Sequence, residues 1–208
     1  MTDPNAPRLF RLRCTYGETG RLCMLSHLEV AHTLERTVRR AQLPFAVSQG
    51  FSPHMKIAFG AALPVGVGST CEVFDVQLTR YVPAETTLRA LQCASVPDLM
   101  VRECAYIEPS APAASVAFPF STYEARFDGA LDAIRVPETV TVVRKRKEKV
   151  LRVADFLVDG IACAGDRAVF TLEAKPTGSL RPDVLLQQCG LGERLVSLTR
   201  IAQEPAQH

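Results

Sequence analysis

Imidazole, guanidinium and amine groups concentrate in residues 26–69, and such groups bind anions or transfer protons. The segment reads SHLEVAHTLERTVRRAQLPFAVSQGFSPHMKIAFGAALPVGVGS and holds three of the four histidines. Charged side chains are almost never fully buried, so core packing alone does not require them here. We therefore expect a functional site in this segment. Its cations and imidazoles are His27, His32, Arg36, Arg39, Arg40, His54 and Lys56.

Ser26 is predicted to begin a helix, because Glu29 follows three residues later and the two complete a capping box. Apolar residues at helical spacing predict the buried stripe, and Leu43-Pro44 the end of the helix. The stripe comprises Leu28, Ala31, Leu34, Val38 and Ala41.

The opposite face of this helix is cationic. His32, Arg36 and Arg40 are four residues apart, and Arg39 lies beside them. Guanidinium groups match the geometry of phosphate oxygens, which indicates a phosphate-binding face. The alternative is an ordinary solvated face, partly neutralised by Glu29 and Glu35.

His27 occupies the first helical position, where the partial positive charge of the helix end favours a neutral imidazole. Such a group suits a base, a hydrogen-bond donor or an anion contact. A capping or gap-filling histidine is the structural alternative.

A polar turn over residues 49–56 is the sharpest motif. Gly50 permits a close approach of the backbone to a ligand. Phe51, if exposed, could stack on a base or a flat cofactor. Around them, Gln49, Pro53, His54 and Lys56 complete a candidate binding turn. The alternative is a structural turn in which Phe51 is buried.

Two further cationic segments are weaker candidates for anion binding. Residues 144–149 read RKRKEK, which is typical of a nucleic-acid contact or of a solvated hairpin tip. Arg181 precedes a helix predicted to begin at Pro182, where it could meet an anion.

Composition limits the function classes. The 208-residue chain is 47% hydrophobic and 22% charged with a net charge of +2, so any nucleic-acid role must come from local patches. Its seven cysteines include no CxxC or CxxxCxxC, which argues against a zinc or iron–sulfur site. No signal peptide, membrane span, phosphate-binding glycine motif or nucleophile elbow is visible, and we expect a cytoplasmic protein with no membrane contact.

The element order predicts an α+β fold of two ferredoxin-like (split βαβ) units with antiparallel sheets. Strand, helix, strand, strand, helix and strand follow one another in residues 1–110. A segment rich in Pro, Ala and Ser (108–119) reads as a linker. Residues 120–208 then form a second, more divergent unit with roughly the same order.

Four short patterns make the chain resemble the radical-SAM-linked proteins, a bacterial family of unknown function. The patterns are G-x-L-R-F-L-S-H-L-D-x-x-R, R-R-A-x-L-P, G-F-x-P-H-x-K and L-P-x-G-x-x-S. Matching residues include Gly20, Ser26, His27, Leu28, Arg39, Arg40, Pro44, Gly50, Phe51, Pro53, His54, Lys56, Leu63, Pro64, Gly66 and Ser69. Glu29 and His32 depart from the pattern, which has Asp and Arg there. A looser match beyond residue 120 includes Thr199-Arg200.

The resemblance implies a radical SAM partner that holds S-adenosylmethionine and an iron–sulfur cluster, with no cofactor in this chain. It establishes no reaction. We therefore expect a binding or accessory protein that presents RNA, or another anionic substrate, to that partner. Two alternatives stay open: an acid–base phosphodiesterase or endoribonuclease that uses His27 and His54, and a purely structural subunit.

Overall fold

The computed structural model describes residues 9–131, 133–144 and 147–206. Over these residues the fold is α+β, with four α-helices and mostly antiparallel strands. This confirms the predicted class. The described chain divides into two compact units, one made of residues up to Ala62 with Cys71–Ala117, the other of Leu63–Thr70 with residues from Phe118 onward.

The first unit packs two main helices on one sheet. Its elements are β1 (Phe10–Glu18), α1 (His27–Arg40), β2 (Ile57–Phe59), β3 (Gly68–Leu78, in this unit from Cys71), α2 (Ala84–Ala94), β4 (Val101–Tyr106) and α3 (Ala114–Ala117). The strand order is β4-β1-β3-β2. Buried residues of α1, such as Leu34 and Val38, pack against Phe74 and Val76 of β3 in one core.

Two local expectations in this unit were wrong. Leu28 was expected in the buried stripe, yet it is 68% exposed, and the buried positions of α1 are Val30, Ala31, Leu34, Thr37 and Val38. The helix also ends earlier than Leu43-Pro44. Ala41 caps it, and Gln42 adopts a φ of 54°, a left-handed conformation that stops helices.

A buried carboxylate ties the end of this unit to its sheet. Asp75 is 3% exposed and accepts from Arg11 (2.6 Å) and Arg13 (2.7 Å). The same guanidiniums donate to backbone carbonyls of the segment predicted as a linker: Arg11 to Ala111 at 2.6 Å, and both arginines to Pro112 at 2.9 and 2.8 Å. The segment is therefore held in place by charge-assisted hydrogen bonds.

Over its described residues, the second unit contains four antiparallel strands, a separate two-stranded pair and one α-helix. Its elements are β5 (Phe120–Phe127), β6 (Thr139–Arg144), β7 (Lys147–Arg152), β8 (Leu157–Ala164), β9 (Arg167–Glu173), α4 (Pro182–Gln188) and β10 (Leu195–Glu204). The order β10-β5-β9-β8 is antiparallel throughout, and β6 pairs with β7 separately. The first residues of β3 join this unit, because Gly68 and Ser69 pair in parallel with Thr199 and Arg200.

Candidate functional site

The polar turn expected around Gly50 is the end of a hairpin that leaves the first unit's sheet. We call residues 45–56 the hairpin arm. Its base is fixed to β3, because the Ala46 amide donates to the Gln77 carbonyl and the Gln77 amide donates to the Lys56 carbonyl (2.8 and 3.0 Å). Farther out, Val47 pairs with Met55, and the Ser48 amide donates to the His54 carbonyl at 2.8 Å.

The tip of the hairpin arm is open to solvent. Phe51 exposes 113% of its reference surface, and Gln49, Gly50, Ser52, Pro53 and His54 are all exposed. The alternative of a buried Phe51 is therefore wrong. Gly50 has a φ of 124°, a conformation that L side chains rarely adopt, and a Cβ there would meet nothing within 4 Å. Glycine is therefore favoured at position 50 by the backbone conformation, and not by lack of space for a side chain.

The imidazole of His54 lies beside Ser52 of the tip. Its Nε2 lies 3.5 Å from the Ser52 hydroxyl, a weak contact, while its own backbone amide donates to the Ser48 hydroxyl at 3.0 Å. Lys56 follows at the base of the arm and is half-buried. A cation and an imidazole therefore lie within a few residues of the exposed Phe51 ring.

Arg39 connects α1 to the hairpin arm. Its guanidinium carbon lies 5.0 Å from the centre of the Phe45 ring, at the first position of the arm. Such a cation–π contact fixes the plane of the guanidinium while its N–H groups stay available to other acceptors. Arg39 is exposed on the helix surface. The structure thus brings together this cation and the turn, which the sequence linked only by proximity along the chain.

The other residues of the predicted cationic face have separate surroundings. His32, Arg36 and Arg40 are all exposed, as the four-residue spacing predicts. Arg36 donates to the Thr33 hydroxyl one turn away, at 3.1 Å. Arg40 instead donates to the Ala94 carbonyl at the end of α2. It satisfies a helix C-terminus, so its charge is partly engaged.

Ser26 and Glu29 form the capping box that the sequence predicts. The Ser26 amide and hydroxyl both donate to Glu29 Oε2 (2.8 and 2.7 Å), and the Glu29 amide donates back to the Ser26 hydroxyl at 3.4 Å. These bonds to the backbone and hydroxyl of Ser26 lower the pKa of Glu29 below its ordinary value. Ser26 therefore acts here as the start of α1, and its hydroxyl is already engaged.

His27 is exposed and packs edge-on against the Phe59 ring, with 5.6 Å between ring centres. His54 lies five residues before Phe59, and largely extended chain of that length spans roughly 15 Å. Within the described residues no hydrogen bond or ring contact joins the two imidazoles, so the geometry offers no support for an acid–base pair.

Arg181 lies in the second unit. It is the residue before α4, as expected, but its guanidinium forms a two-point ion pair with Asp183 (3.0 and 2.6 Å). That hydrogen-bonded pair raises the pKa of Arg181. Its charge is thus largely compensated within its own turn. Of the basic run 144–149, Lys145 and Arg146 lie outside the described residues, and Lys149 donates to the Thr177 carbonyl at 3.2 Å.

The described ranges contain no set of three His, Cys, Asp or Glu side chains placed to bind a metal ion. None of the helices described is both long and apolar enough to cross a bilayer.

Comparison with known families decides the relationship of the chain. Residues 11–182 match a family described as an uncharacterized protein conserved in bacteria, DUF2344. The chain belongs to that family. No curated protein matches it. The DUF2344 match includes the whole hairpin arm, α1 and most of the second unit. The motif residues from Gly20 to Ser69 therefore all fall inside the family region.

The motif residues of this DUF2344 chain separate into two structural groups. Gly50, Phe51, Pro53 and His54 form the exposed tip of the hairpin arm. In contrast, the Leu63–Ser69 motif belongs to the second unit, where the Ser69 hydroxyl donates to the Arg200 carbonyl at 3.3 Å. The second motif therefore has a structural role, and the first has no visible packing role.

Sequence reasoning missed Phe45, which belongs to none of the motifs or helical stripes singled out above. Its aromatic ring just after Leu43-Pro44, two residues before Val47, is the signal for an extended segment that could have identified it.

Proposed function

We propose that this chain is a non-catalytic accessory protein that binds single-stranded RNA through the hairpin arm and the adjoining cationic face of α1. The observation that carries the proposal is the complete exposure of Phe51 at the end of an arm whose base is pinned to the sheet by backbone hydrogen bonds. An arm held this firmly presents the aromatic ring at a defined place.

Phe51 suits a nucleobase as its occupant. A base stacked on an exposed aromatic ring is worth about 1–3 kcal/mol, and every base offers a flat face. Bases in a duplex are already stacked and cannot reach such a ring, whereas unpaired bases can. The ligand favoured by this arrangement is therefore single-stranded.

The cations around the arm supply contacts for the phosphates. Arg39 is held against Phe45 at the base of the arm, Lys56 lies on its returning strand, and Arg36 lies one turn earlier on α1. Arginine forks bind phosphate oxygens in pairs, and each contact releases counterions. Since the net charge of the chain is only +2, this local cluster has to provide most of the electrostatic attraction.

The resemblance to radical-SAM-linked proteins supports a partner for this activity. In the proposal a radical SAM enzyme, with its S-adenosylmethionine and iron–sulfur cluster, modifies the RNA that this chain holds. The protein would act in the cytoplasm, where such an RNA is found.

The finer architecture belongs to the same proposal. We infer that the first unit is ferredoxin-like, which its β1-α1-β2-β3-α2-β4 order and β4-β1-β3-β2 strand arrangement support. The second unit would be a divergent relative that replaces one crossover by the β6–β7 hairpin.

Binding of a fluorescein-labelled, mixed-sequence single-stranded RNA, followed by fluorescence anisotropy across a salt series, tests the proposal. We expect saturable binding. The logarithm of the affinity should fall linearly with the logarithm of the salt concentration, by about 0.7 log units per phosphate contact for each tenfold increase in salt. The same strand annealed to its complement should bind more weakly. Absence of salt-dependent binding, or equal affinity for the duplex, would contradict the proposal.

A further inference from the structure

Two cysteines face each other on neighbouring strands of the first unit. Cys14 of β1 and Cys104 of β4 are direct partners in the antiparallel register, and their sulfur atoms lie 3.2 Å apart. Opposed residues of an antiparallel pair have Cα atoms about 4.5 or 5.5 Å apart, and both distances lie within the range that a disulfide spans. The side chains already point at each other, so closure requires only a small approach.

The strand that carries Cys104 is an edge strand. β4 is at the end of the first unit's strand order and pairs with β1 alone among the described strands. The β1–β4 register also shifts between Thr15 and Tyr16, right beside the cysteine pair. An edge strand beside a bulge adjusts its position more readily than a strand held on both sides.

The two thiols differ in access. Cys14 is fully buried, and Cys104 is half-buried. Burial, together with the neighbouring Cys104 thiol, raises the pKa of Cys14 well above its ordinary value. An oxidant from solvent therefore meets Cys104 first, and Cys14 is positioned to attack the oxidised sulfur behind it.

We propose that Cys14 and Cys104 are a reversible oxidation site, closed to a disulfide by hydrogen peroxide and reopened by a dithiol. The Cys104 thiolate attacks peroxide, the O–O bond breaks, and the leaving hydroxide takes up a proton to give water and a sulfenic acid. The Cys14 sulfur then attacks the Cys104 sulfur. The S–S bond forms, the S–O bond breaks, and the leaving hydroxide departs as water with the Cys14 proton. Two thiols are oxidised and one peroxide is reduced to two waters.

The disulfide would fasten the edge strand to its neighbour. It closes a long loop between β1 and β4, which restricts the unfolded chain far more than the folded one. We therefore expect the oxidised protein to unfold at a temperature several degrees higher than the reduced protein.

The experiment treats the full-length protein with hydrogen peroxide, quenches in acid, alkylates the remaining thiols after unfolding and maps peptides by mass spectrometry without reduction. We expect two of the seven thiols to be lost and one linked peptide pair containing Cys14 and Cys104 that dithiothreitol separates. Recovery of both residues as alkylated thiols, or linkage of either to another cysteine, would overturn the proposal.

Matched variants exclude a general oxidation effect. Cys93→Ala removes the exposed cysteine of α2 and should leave both the linked peptide and the gain in thermal midpoint unchanged. Cys104→Ala, at the less buried member of the pair, should abolish both. A gain in midpoint that persists in Cys104→Ala would also overturn the proposal.

Discussion

The guanidinium of Arg39 lies over the ring of Phe45, 5.0 Å from its centre, and this contact joins the cationic face of α1 to the hairpin arm. The arm is fixed independently by the bonds of Ala46 and Lys56 to Gln77 of β3. A cation and an exposed aromatic ring are thereby held on one rigid scaffold. Rigid placement reduces the entropy lost when a flexible ligand binds.

Replacing Arg39 should weaken RNA binding through charge. In Arg39→Ala we expect the slope of log affinity against log salt to become shallower by about 0.7, the value for one phosphate contact to a single strand. Arg39→Lys should keep the slope but not the planar contact with Phe45, and so recover only part of the affinity. Salt-series anisotropy measures both.

Arg89→Ala is the matched control for Arg39. It removes the same charge from an exposed position of α2 in the same unit, where Arg89 pairs with Glu85 at 3.1 Å. Its slope should equal that of the unchanged protein. A similar change in slope for both variants would mean that binding senses only total charge.

Gly50→Ala should impair binding without unfolding the protein. The added Cβ meets no atom within 4 Å, but the φ of 124° is strained for alanine, which costs about 1–3 kcal/mol in the arm. The tip would relax and move Phe51. We expect weaker RNA binding in anisotropy and a cooperative urea transition whose midpoint falls by no more than this strain accounts for.

Gly165→Ala is the control for this change, because Gly165 has a φ of 61° with equally open space in the β8–β9 turn of the second unit. It introduces a positive-φ strain, smaller than that at Gly50, far along the chain from the arm. Equal losses of RNA affinity in the two variants would contradict a specific role for the tip.

The capping box makes the stability of α1 depend on pH. Ser26→Ala should lower the free energy of unfolding by about 1 kcal/mol, the usual loss for such a cap. The pKa of Glu29 is lowered in the folded state, so its contribution is complete above the ordinary glutamate pKa and disappears as pH falls through the lowered folded value. Glu29→Gln should therefore reduce the acid loss of stability.

Urea unfolding measured over a pH series checks this expectation. Glu85→Gln is the comparison, since Glu85 is also a first-turn carboxylate, but Pro83, the N-cap residue of α2, provides no side-chain cap bond. If the acid limb of Glu29→Gln matches that of the unchanged protein, the capping box does not contribute as described.

Asp75 should be essential for the first unit. In Asp75→Ala the half-buried guanidiniums of Arg11 and Arg13 lose this acceptor, a change that costs about 1–3 kcal/mol. Hydrogen exchange should also increase around Ala111, whose carbonyl accepts from Arg11. Asp166→Asn removes an exposed partner of Arg126 and should change stability by less than about 1 kcal/mol.

Much of the local structure follows from the sequence because its signals are local. The Ser26–Glu29 capping box, the α1 cation spacing and the β8–β9 hairpin at Gly165-Asp166 all depend on residues a few positions apart. The exposure of Leu28 was not predictable in this way. Its helical spacing fits a buried stripe, and only the position of the sheet under α1 decides which side of the stripe is covered.

The contacts of the candidate site could not be predicted from the sequence for the same reason. No spacing rule relates Arg39 to Phe45, because the left-handed turn at Gln42 reverses the chain between them. Likewise, the Leu63–Ser69 motif adjoins the tip motif in sequence, yet its Ser69 pairs with Arg200, 131 positions away. Partners at such separations are chosen by tertiary packing, which single-sequence patterns do not encode.

The affinity of Phe51→Ala for single-stranded RNA tests the central claim most directly. The account predicts a loss of about 1–3 kcal/mol, or roughly 5- to 150-fold, with an unchanged salt slope, since stacking is lost and phosphate contacts are kept. Phe51→Trp should retain binding, and Val116→Ala, at another exposed apolar position of the first unit, should have no effect. An affinity of Phe51→Ala equal to that of the unchanged protein would contradict the claim that the hairpin arm holds a base.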